Sequence, residues 1–161
     1  FVGDLNRAEK GVRMHTDQFH PEGPDNLLIT SVDAALAGQN TLLAAESLGY
    51  GGVIIGLVRY QASEVAKLFN LPDYTYPVFG MALGVPNQNH PVKPRLPLEA
   101  VVFEESYQVQ TPEVIEAFDQ VQTAYAGARA TDTWSQRLAA QFGQEEPAAT
   151  AELLKKHQLE K

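Results

Sequence analysis

The chain of 161 residues contains no cysteine, which excludes disulfide bonds, thiolate metal sites and a cysteine nucleophile. It is also poor in basic residues: 12 lysines and arginines stand against 20 acids, giving a formal net charge of −8. That balance argues against nucleic acid as a partner, because nucleic-acid binding depends on a basic surface. No run approaches ~20 uninterrupted apolar residues, so the sequence predicts no membrane span. These absences fit a cytoplasmic protein.

The order of the predicted elements is that of an α+β domain. A helix over residues 27–48 is apolar on all faces, which predicts that it is buried rather than lying at the surface. Thr111-Pro112-Glu113 combines three signals for the start of a helix that reaches about Tyr125. Further helices are predicted after Ser63, from Thr131 or Asp132 to Gly143, and from Pro147 onwards. Strands are predicted at residues 1–7, 53–55, 76–85 and 100–103.

A glycine-bracketed apolar run follows the long helix and ends in a cation, from Gly51 to Arg59. Glycine lets the backbone approach a flat ligand closely. Backbone donors at Ile55, Gly56 and Leu57 are then available to bond the polar edge of a ring. The other interpretation is a plain buried strand whose glycines serve as turn and helix-cap residues.

Two cations at i and i+2, Lys93 and Arg95, stand in a loop stiffened by Pro91, Pro94 and Pro97. Proline fixes φ, and a rigid pair of cations can converge on a phosphate, with arginine giving forked hydrogen bonds. The other interpretation is an exposed loop carrying two solvated charges. The first segment and this loop together suggest an aromatic cofactor that bears a phosphate.

Other familiar sites are missing from the sequence. There is no Gly-Lys-Ser/Thr phosphate loop and no GxGxxG dinucleotide fingerprint. His15 and His20 lie five residues apart in a predicted loop, a spacing that does not define convergent ligands, so no metal site is predicted. No serine lies in a GxSxG elbow, and no catalytic triad stands out.

Several ordered segments carry a resemblance to a known family. The run Gln39–Val53 is similar to the central helix and following strand of the nitroreductase superfamily. Phe79–Pro86 and Lys93–Pro97 resemble its branch of oxygen-insensitive NADPH nitroreductases and NADPH-flavin oxidoreductases, and Asp132–Ser135 resembles the C-terminal element of that branch. The match extends from Phe1 to about Gln144.

The resemblance implies a mixed or antiparallel sheet around a long buried central helix, with flanking helices and FMN bound at a homodimer interface. It implies that the backbone of four consecutive residues lines the isoalloxazine ring: Ile54, Ile55, Gly56 and Leu57. Lys93 and Arg95 would hold the FMN phosphate, in agreement with the loop pattern itself. Arg129 would contact the 2′-phosphate of NADPH. No residue is implied as an acid, base or nucleophile, since the chemistry belongs to the flavin.

The implied activity is an NADPH-driven ping-pong reaction that reduces nitro-compounds, quinones or free flavins. The family begins with a basic, serine-containing segment that would precede Phe1, so we expect residues 1–161 to be a nitroreductase-like domain that is incomplete at its N-terminus. Residues 111–161 would be a C-terminal helical extension of that domain. The alternatives are a flavin-free dimerisation or interaction module, and an FMN-binding protein without turnover.

Overall fold

Short strands alternate with helices through residues 1–144 and 149–160, which the computed structural model describes. The helices and strands in chain order are β1 (Val2–Asp4), α1 (Asn6–Arg13), α2 (Pro24–Ser47), β2 (Gly51–Ile55), α3 (Ala62–Leu68), β3 (Thr75–Pro77), β4 (Gly80–Gly84), α4 (Pro112–Ala126), α5 (Trp134–Phe142) and α6 (Ala149–Lys156). This composition confirms the α+β class. The predicted helix start at Pro147 lies outside the described residues.

The described residues divide into two compact units. The first unit contains residues 1–88 together with residues 149–160, and the second contains residues 89–144. All four strands and helices α1, α2, α3 and α6 belong to the first unit, whereas α4 and α5 belong to the second.

The strands form two separate antiparallel ladders in the first unit. One pairs β1 with β3, and the other pairs β2 with β4 from Gly51 opposite Gly84 to Ile55 opposite Gly80. The single strand predicted over residues 76–85 is therefore two strands that belong to different ladders. Between them Phe79 turns inward, where its ring is buried and stacks on Phe1 at 4.8 Å.

The strand predicted at residues 100–103 is wrong. Residues 98–100 form a 3₁₀ turn, and the amide of Val102 donates to the carbonyl of Leu98 at 2.8 Å. The apolar β-branched residues there have no strand beside them in the described residues. β-propensity is an effect of packing on a neighbouring strand, so it does not make a strand alone.

The core of the first unit joins residues that lie far apart in sequence. Leu153 and Leu159 are fully buried against Ala62 and Ala66 of α3. The buried His157 lies between these leucines in sequence, and its Nδ1 is 2.9 Å from the carbonyl oxygen of Thr75, 82 residues away. The segment containing α6 thus closes the core that the earlier helices and strands begin.

Helix α2 buries one narrow face composed of small residues: Thr30, Ala34, Gly38 and Ala45. A Cβ added at Gly38 would lie 2.4 Å from Cζ of Phe79, so only glycine fits beneath that ring. The hydroxyl of Tyr76 donates to the carbonyl of Leu27 at 2.7 Å, and it lies 2.9 Å from the Thr30 hydroxyl. These contacts fix α2 against the strands.

The other face of α2 is apolar but exposed, which corrects the prediction that the helix is buried on all sides. Its large exposed side chains are Leu28, Ile29, Val32, Leu36 and Leu43. An apolar sequence shows that a helix face needs cover, but it does not show which part of the molecule supplies that cover. By length and composition alone α2 could also cross a membrane, a test that the core helices of soluble proteins pass as well.

The second unit is built around α4. The helix starts at Pro112 with Thr111 at its N-cap position, as Thr111-Pro112-Glu113 predicts. Helix α5 begins after Thr133, later than the predicted Thr131 or Asp132, because Thr133 and Gln136 form a reciprocal capping box.

Candidate functional site

The first candidate segment lies where the β2–β4 ladder ends. Ile55 opposite Gly80 is its last pair, and the backbone then turns into a 3₁₀ helix over residues 56–61. The side chains of Ile54 and Leu57 are 48% and 68% exposed. This strand end therefore offers an apolar surface beside backbone that has just left the ladder.

The glycines around this strand also make room for neighbouring side chains. A Cβ at Gly52 would lie 2.5 Å from Cδ1 of Leu42, so glycine lets β2 approach α2. At Gly56 a Cβ would lie 3.3 Å from Nη2 of Arg59, and Nη1 of Arg59 donates to the carbonyl of Val78 at 2.8 Å. Gly56 therefore accommodates an arginine whose guanidinium is already engaged by the protein.

The second candidate segment is the loop that carries Lys93 and Arg95. No regular secondary structure occurs between residues 86 and 97, as the three prolines predicted. Lys93 and Arg95 are both exposed, and within the described residues neither makes a hydrogen bond or an ion pair. Two such cations on one short loop are free to bind an anion.

Helix α4 holds this loop through two side chains. Nε2 of Gln122 donates to the carbonyl of Pro94 at 2.9 Å, and the hydroxyl of Tyr125 donates to the carbonyl of Pro91 at 3.1 Å. Gln122 is only 7% exposed. The two accepting carbonyls lie on either side of Lys93, so the part of the loop that bears the cations is fixed to the helix.

A cavity of about 470 Å³ lies beside the same loop, within the second unit. Arg95 and Pro97 contribute one wall, and Val114, Phe118 and Val121 of α4 contribute another. The walls are mostly apolar, with the Arg95 side chain among the few polar groups that reach them.

The N-terminus of α5 is tied to α4 by a carboxylate. Oδ1 of Asp119 accepts from the backbone N–H of Ser135 at 2.9 Å, and Oδ2 accepts from the Ser135 hydroxyl. The hydroxyl hydrogen bond, supported by the backbone one, lowers the pKa of Asp119 below its usual value. The carboxylate is therefore ionised around neutral pH and holds the two helices together.

Arg129 lies just beyond α4, at the end of a 3₁₀ turn over residues 127–129. Its guanidinium is exposed and stands 5.9 Å from the centre of the Tyr125 ring. Tyr125 thus contacts both Arg129, through its ring, and the Lys93–Arg95 loop, through its hydroxyl.

Comparison with known proteins assigns these segments to a family. Residues 11–85 match the Nitroreductase family, and residues 93–161 match the Nitroreductase family, C-terminal domain. The chain belongs to the nitroreductase family. Ile54–Leu57 fall within the first matched region, and Lys93, Arg95 and Arg129 fall within the second.

Named nitroreductase relatives agree with this assignment. The NADPH-flavin oxidoreductase of Vibrio harveyi is 46% identical over 115 residues, which are 69% of this chain and 48% of that protein. The oxygen-insensitive NADPH nitroreductase of Salmonella typhimurium is 42% identical over 118 residues, 71% of this chain and 49% of that protein. The chain therefore spans about half the length of these curated relatives.

The fold agrees as well. The solved structure of the hypothetical oxidoreductase YcnD from Bacillus subtilis superposes with a TM-score of 0.91 at 34% identity, covering 99% of this chain and 68% of that one. Such agreement over nearly the whole chain means that both units have counterparts in that solved structure.

The sequence indicated Lys93 and Arg95 as a candidate binding pair, but sequence reasoning missed the residues that hold their loop. Gln122 and Tyr125 read as ordinary helix residues when α4 is considered by itself. A signal was present nevertheless, because three prolines remove three backbone donors from this short loop, and its carbonyls then depend more on partners from elsewhere. Donors three residues apart on a neighbouring helix lie on one face and are suited to that role.

Proposed function

We propose that this protein is an FMN-dependent NAD(P)H oxidoreductase that reduces nitro-compounds, quinones or free flavins by a ping-pong mechanism. The single observation that carries the proposal is the Lys93–Arg95 loop, whose two exposed cations lack partners among the described residues and whose backbone is held by α4. The names of the Vibrio and Salmonella relatives, a flavin oxidoreductase and a nitroreductase, support it.

The donor set fits the phosphate end of FMN. Arginine offers a planar fork that matches two phosphate oxygens, and lysine adds a point charge. Proline at position 94 and the anchored carbonyls limit the conformations of the loop, so less entropy is lost when an anion binds. We propose Lys93 and Arg95 as the phosphate-binding pair.

The strand end fits the ring end of FMN. Its exposed apolar side chains and adjacent backbone suit a flat aromatic ligand with a polar edge. We propose that the backbone of Ile54, Ile55, Gly56 and Leu57 orients the ring and that the exposed side chains of Ile54 and Leu57 exclude water from it.

When bound, FMN would supply the redox chemistry, accepting a hydride from NADPH and passing electrons to the acceptor. The residues of the chain bind and orient, and we propose no side chain as an acid, base or nucleophile. Arg129 is the proposed contact for the 2′-phosphate of NADPH, since its guanidinium is exposed in the 3₁₀ turn that follows α4, the helix that also holds the Lys93–Arg95 loop.

We further propose that the protein works as a homodimer in the cytoplasm. The exposed apolar face of α2 supports a protein interface, since a contiguous apolar surface on a helix usually marks one. The absence of cysteine fits a reducing compartment.

The deciding experiment is a visible absorption spectrum of the purified full chain with FMN, before and after NADPH. Flavin bands that bleach with NADPH and return when a quinone or nitro-compound is added support the enzyme. Bands that NADPH leaves unchanged indicate an FMN-binding protein without turnover. A protein that FMN titration never colours would overturn the proposal and leave an interaction module.

Replacing both loop cations by alanine tests the phosphate pair. Each lost charged hydrogen bond weakens binding by about 1.5–3 kcal/mol, so the Lys93→Ala, Arg95→Ala protein should bind FMN at least about 10-fold more weakly. The matched control is Lys155→Ala with Lys156→Ala, which removes two exposed charges from α6. Equal FMN affinity in the two double variants, measured by fluorescence titration, would refute the phosphate assignment.

A further inference from the structure

The donors of α4 and the carbonyls that they bind in the Lys93–Arg95 loop have the same spacing along the chain. Gln122 and Tyr125 are three residues apart on one face of the helix, and the carbonyls that they bind, at Pro91 and Pro94, are three residues apart along the loop. Two hydrogen bonds at that spacing fix both the position and the direction of the segment between them. Lys93 lies inside this segment, and Arg95 follows directly after it.

The hydrogen bond from Gln122 acts on the backbone of Arg95. A peptide unit is planar, so the carbonyl of Pro94 and the N–H of Arg95 belong to one rigid plate. Donation from Nε2 of Gln122 to that carbonyl at 2.9 Å sets the rotation of the plate. The direction in which the chain enters Arg95, and hence the origin of its side chain, follows from this rotation.

The environment of Gln122 suits a fixed support. Its side chain is buried while the two cations that it positions are exposed. Leaving a buried amide without its hydrogen-bond partner costs free energy. The bond therefore persists while the loop is solvated on its other side. Pro97, three residues after Pro94, has no N–H, so it cannot replace this contact with a turn hydrogen bond to the carbonyl of Pro94.

We infer that Gln122 is a positioning residue of the phosphate site: it presents Arg95, with Lys93, to the anion without touching the anion itself. Tyr125 supports the same loop at Pro91. This inference rests on the proposed FMN function, and it assigns a role to an uncharged helix residue that acts through the backbone of the loop.

The test compares two flavins that differ only in the phosphate, FMN and riboflavin. In the full chain, Gln122→Leu removes the donor while keeping similar bulk. We expect it to weaken FMN binding by about 3- to 10-fold, the range for one lost hydrogen bond, and to leave riboflavin affinity within about 2-fold of the unchanged protein. The matched control is Gln120→Leu on the same helix, which alters an exposed glutamine and should change neither affinity.

A milder variant, Tyr125→Phe, removes only the hydroxyl at Pro91 and guards against misfolding of the Leu variant. It should shift the FMN-to-riboflavin affinity ratio in the same direction by a smaller factor. Parallel losses of affinity for both flavins, or an unchanged affinity ratio in both variants, would overturn the inference.

The double Lys93→Ala, Arg95→Ala protein separates the two proposals. If it loses FMN selectivity while Gln122→Leu keeps it, only the positioning role fails. If it too keeps the selectivity, the phosphate site fails.

Discussion

Helices α2 and α4 both begin with proline, yet they use their surfaces in opposite ways. In α4 the inward side chains Phe118, Asp119 and Gln122 meet partners inside the second unit: Trp134, Ser135 and the carbonyl of Pro94. In α2 the fully buried residues are small, whereas Leu28, Leu36 and Leu43 are exposed. The position of α4 is therefore specified by contacts within this chain. The large apolar face of α2 has no covering partner among the described residues.

Truncating the anchor of α4 should give the largest effect. Phe118 is buried, and its ring meets Trp134 edge-on at 5.0 Å. Phe118→Ala should destabilise the second unit by about 3–5 kcal/mol, since it removes a large buried side chain and leaves a void. The control Phe142→Ala changes a side chain that is 71% exposed. If urea unfolding gave similar losses for both, α4 would not have the internal anchor described.

Adding a side chain at Gly38 of α2 should lower the free energy of unfolding by less than Phe118→Ala does. Gly38→Ala places a Cβ against the buried, stacked ring of Phe79, and overpacking of this kind costs about 1–3 kcal/mol. Gly11→Ala is the matched control, because nothing lies within 4 Å of the new Cβ in α1. That change should instead stabilise by about 0.5–1 kcal/mol through helix propensity. Gly38→Ala should lower the melting temperature and Gly11→Ala should raise it. A higher melting temperature for both variants would show that Phe79 does not pack closely against Gly38.

Acid should loosen the link between α4 and α5. Because the hydrogen bond from Ser135 lowers the folded-state pKa of Asp119, the carboxylate stabilises the fold above the usual aspartate pKa of about 3.9. That stabilisation is lost as the pH falls through the lower, folded-state pKa.

Asp119→Asn should therefore reduce the urea midpoint at pH 7 and show a smaller further loss on acidification than the unchanged protein. The control Glu116→Gln removes a carboxylate from an exposed position on α4. If the acid responses of Asp119→Asn and Glu116→Gln coincide, the Asp119–Ser135 contact contributes nothing to folding.

Changing the exposed face of α2 should have the smallest effect on folding. Leu36 is 60% exposed, so Leu36→Ser should alter the unfolding free energy of the isolated subunit by no more than about 0.5 kcal/mol. Under the homodimer proposal the same change should weaken self-association, measured by sedimentation at several concentrations. Leu68→Ser, on the exposed side of α3, is the control. An unchanged association constant for Leu36→Ser would remove α2 from the interface.

Local signals explain what the sequence could predict. Thr111-Pro112-Glu113 placed the start of α4 correctly, and β2 follows from its β-branched run, because both signals act within a few residues. The irregular, proline-rich loop was predicted for the same reason.

Long-range contacts explain what it could not. The division of residues 76–85 into β3 and β4 depends on the packing of Phe79, which lies between them, against Gly38 of α2. The role of Gln122 depends on a carbonyl 28 residues away. Neither partner is visible in a local pattern, and the binding roles of Ile54–Leu57, Lys93, Arg95 and Arg129 remain predictions for the titrations above.

The closure of the first unit by the segment containing α6 has a consequence for how the protein is made. Leu153 and Leu159 complete a core whose other members, such as Ala62 and Ala66, are synthesised some ninety residues earlier. At ribosomal rates of roughly 5–20 residues per second, those earlier surfaces stay open for several seconds while residues 89–146 are added. The second unit, by contrast, is a continuous stretch of chain. We therefore expect it to acquire structure on the ribosome first, with the first unit following after Leu159 has emerged.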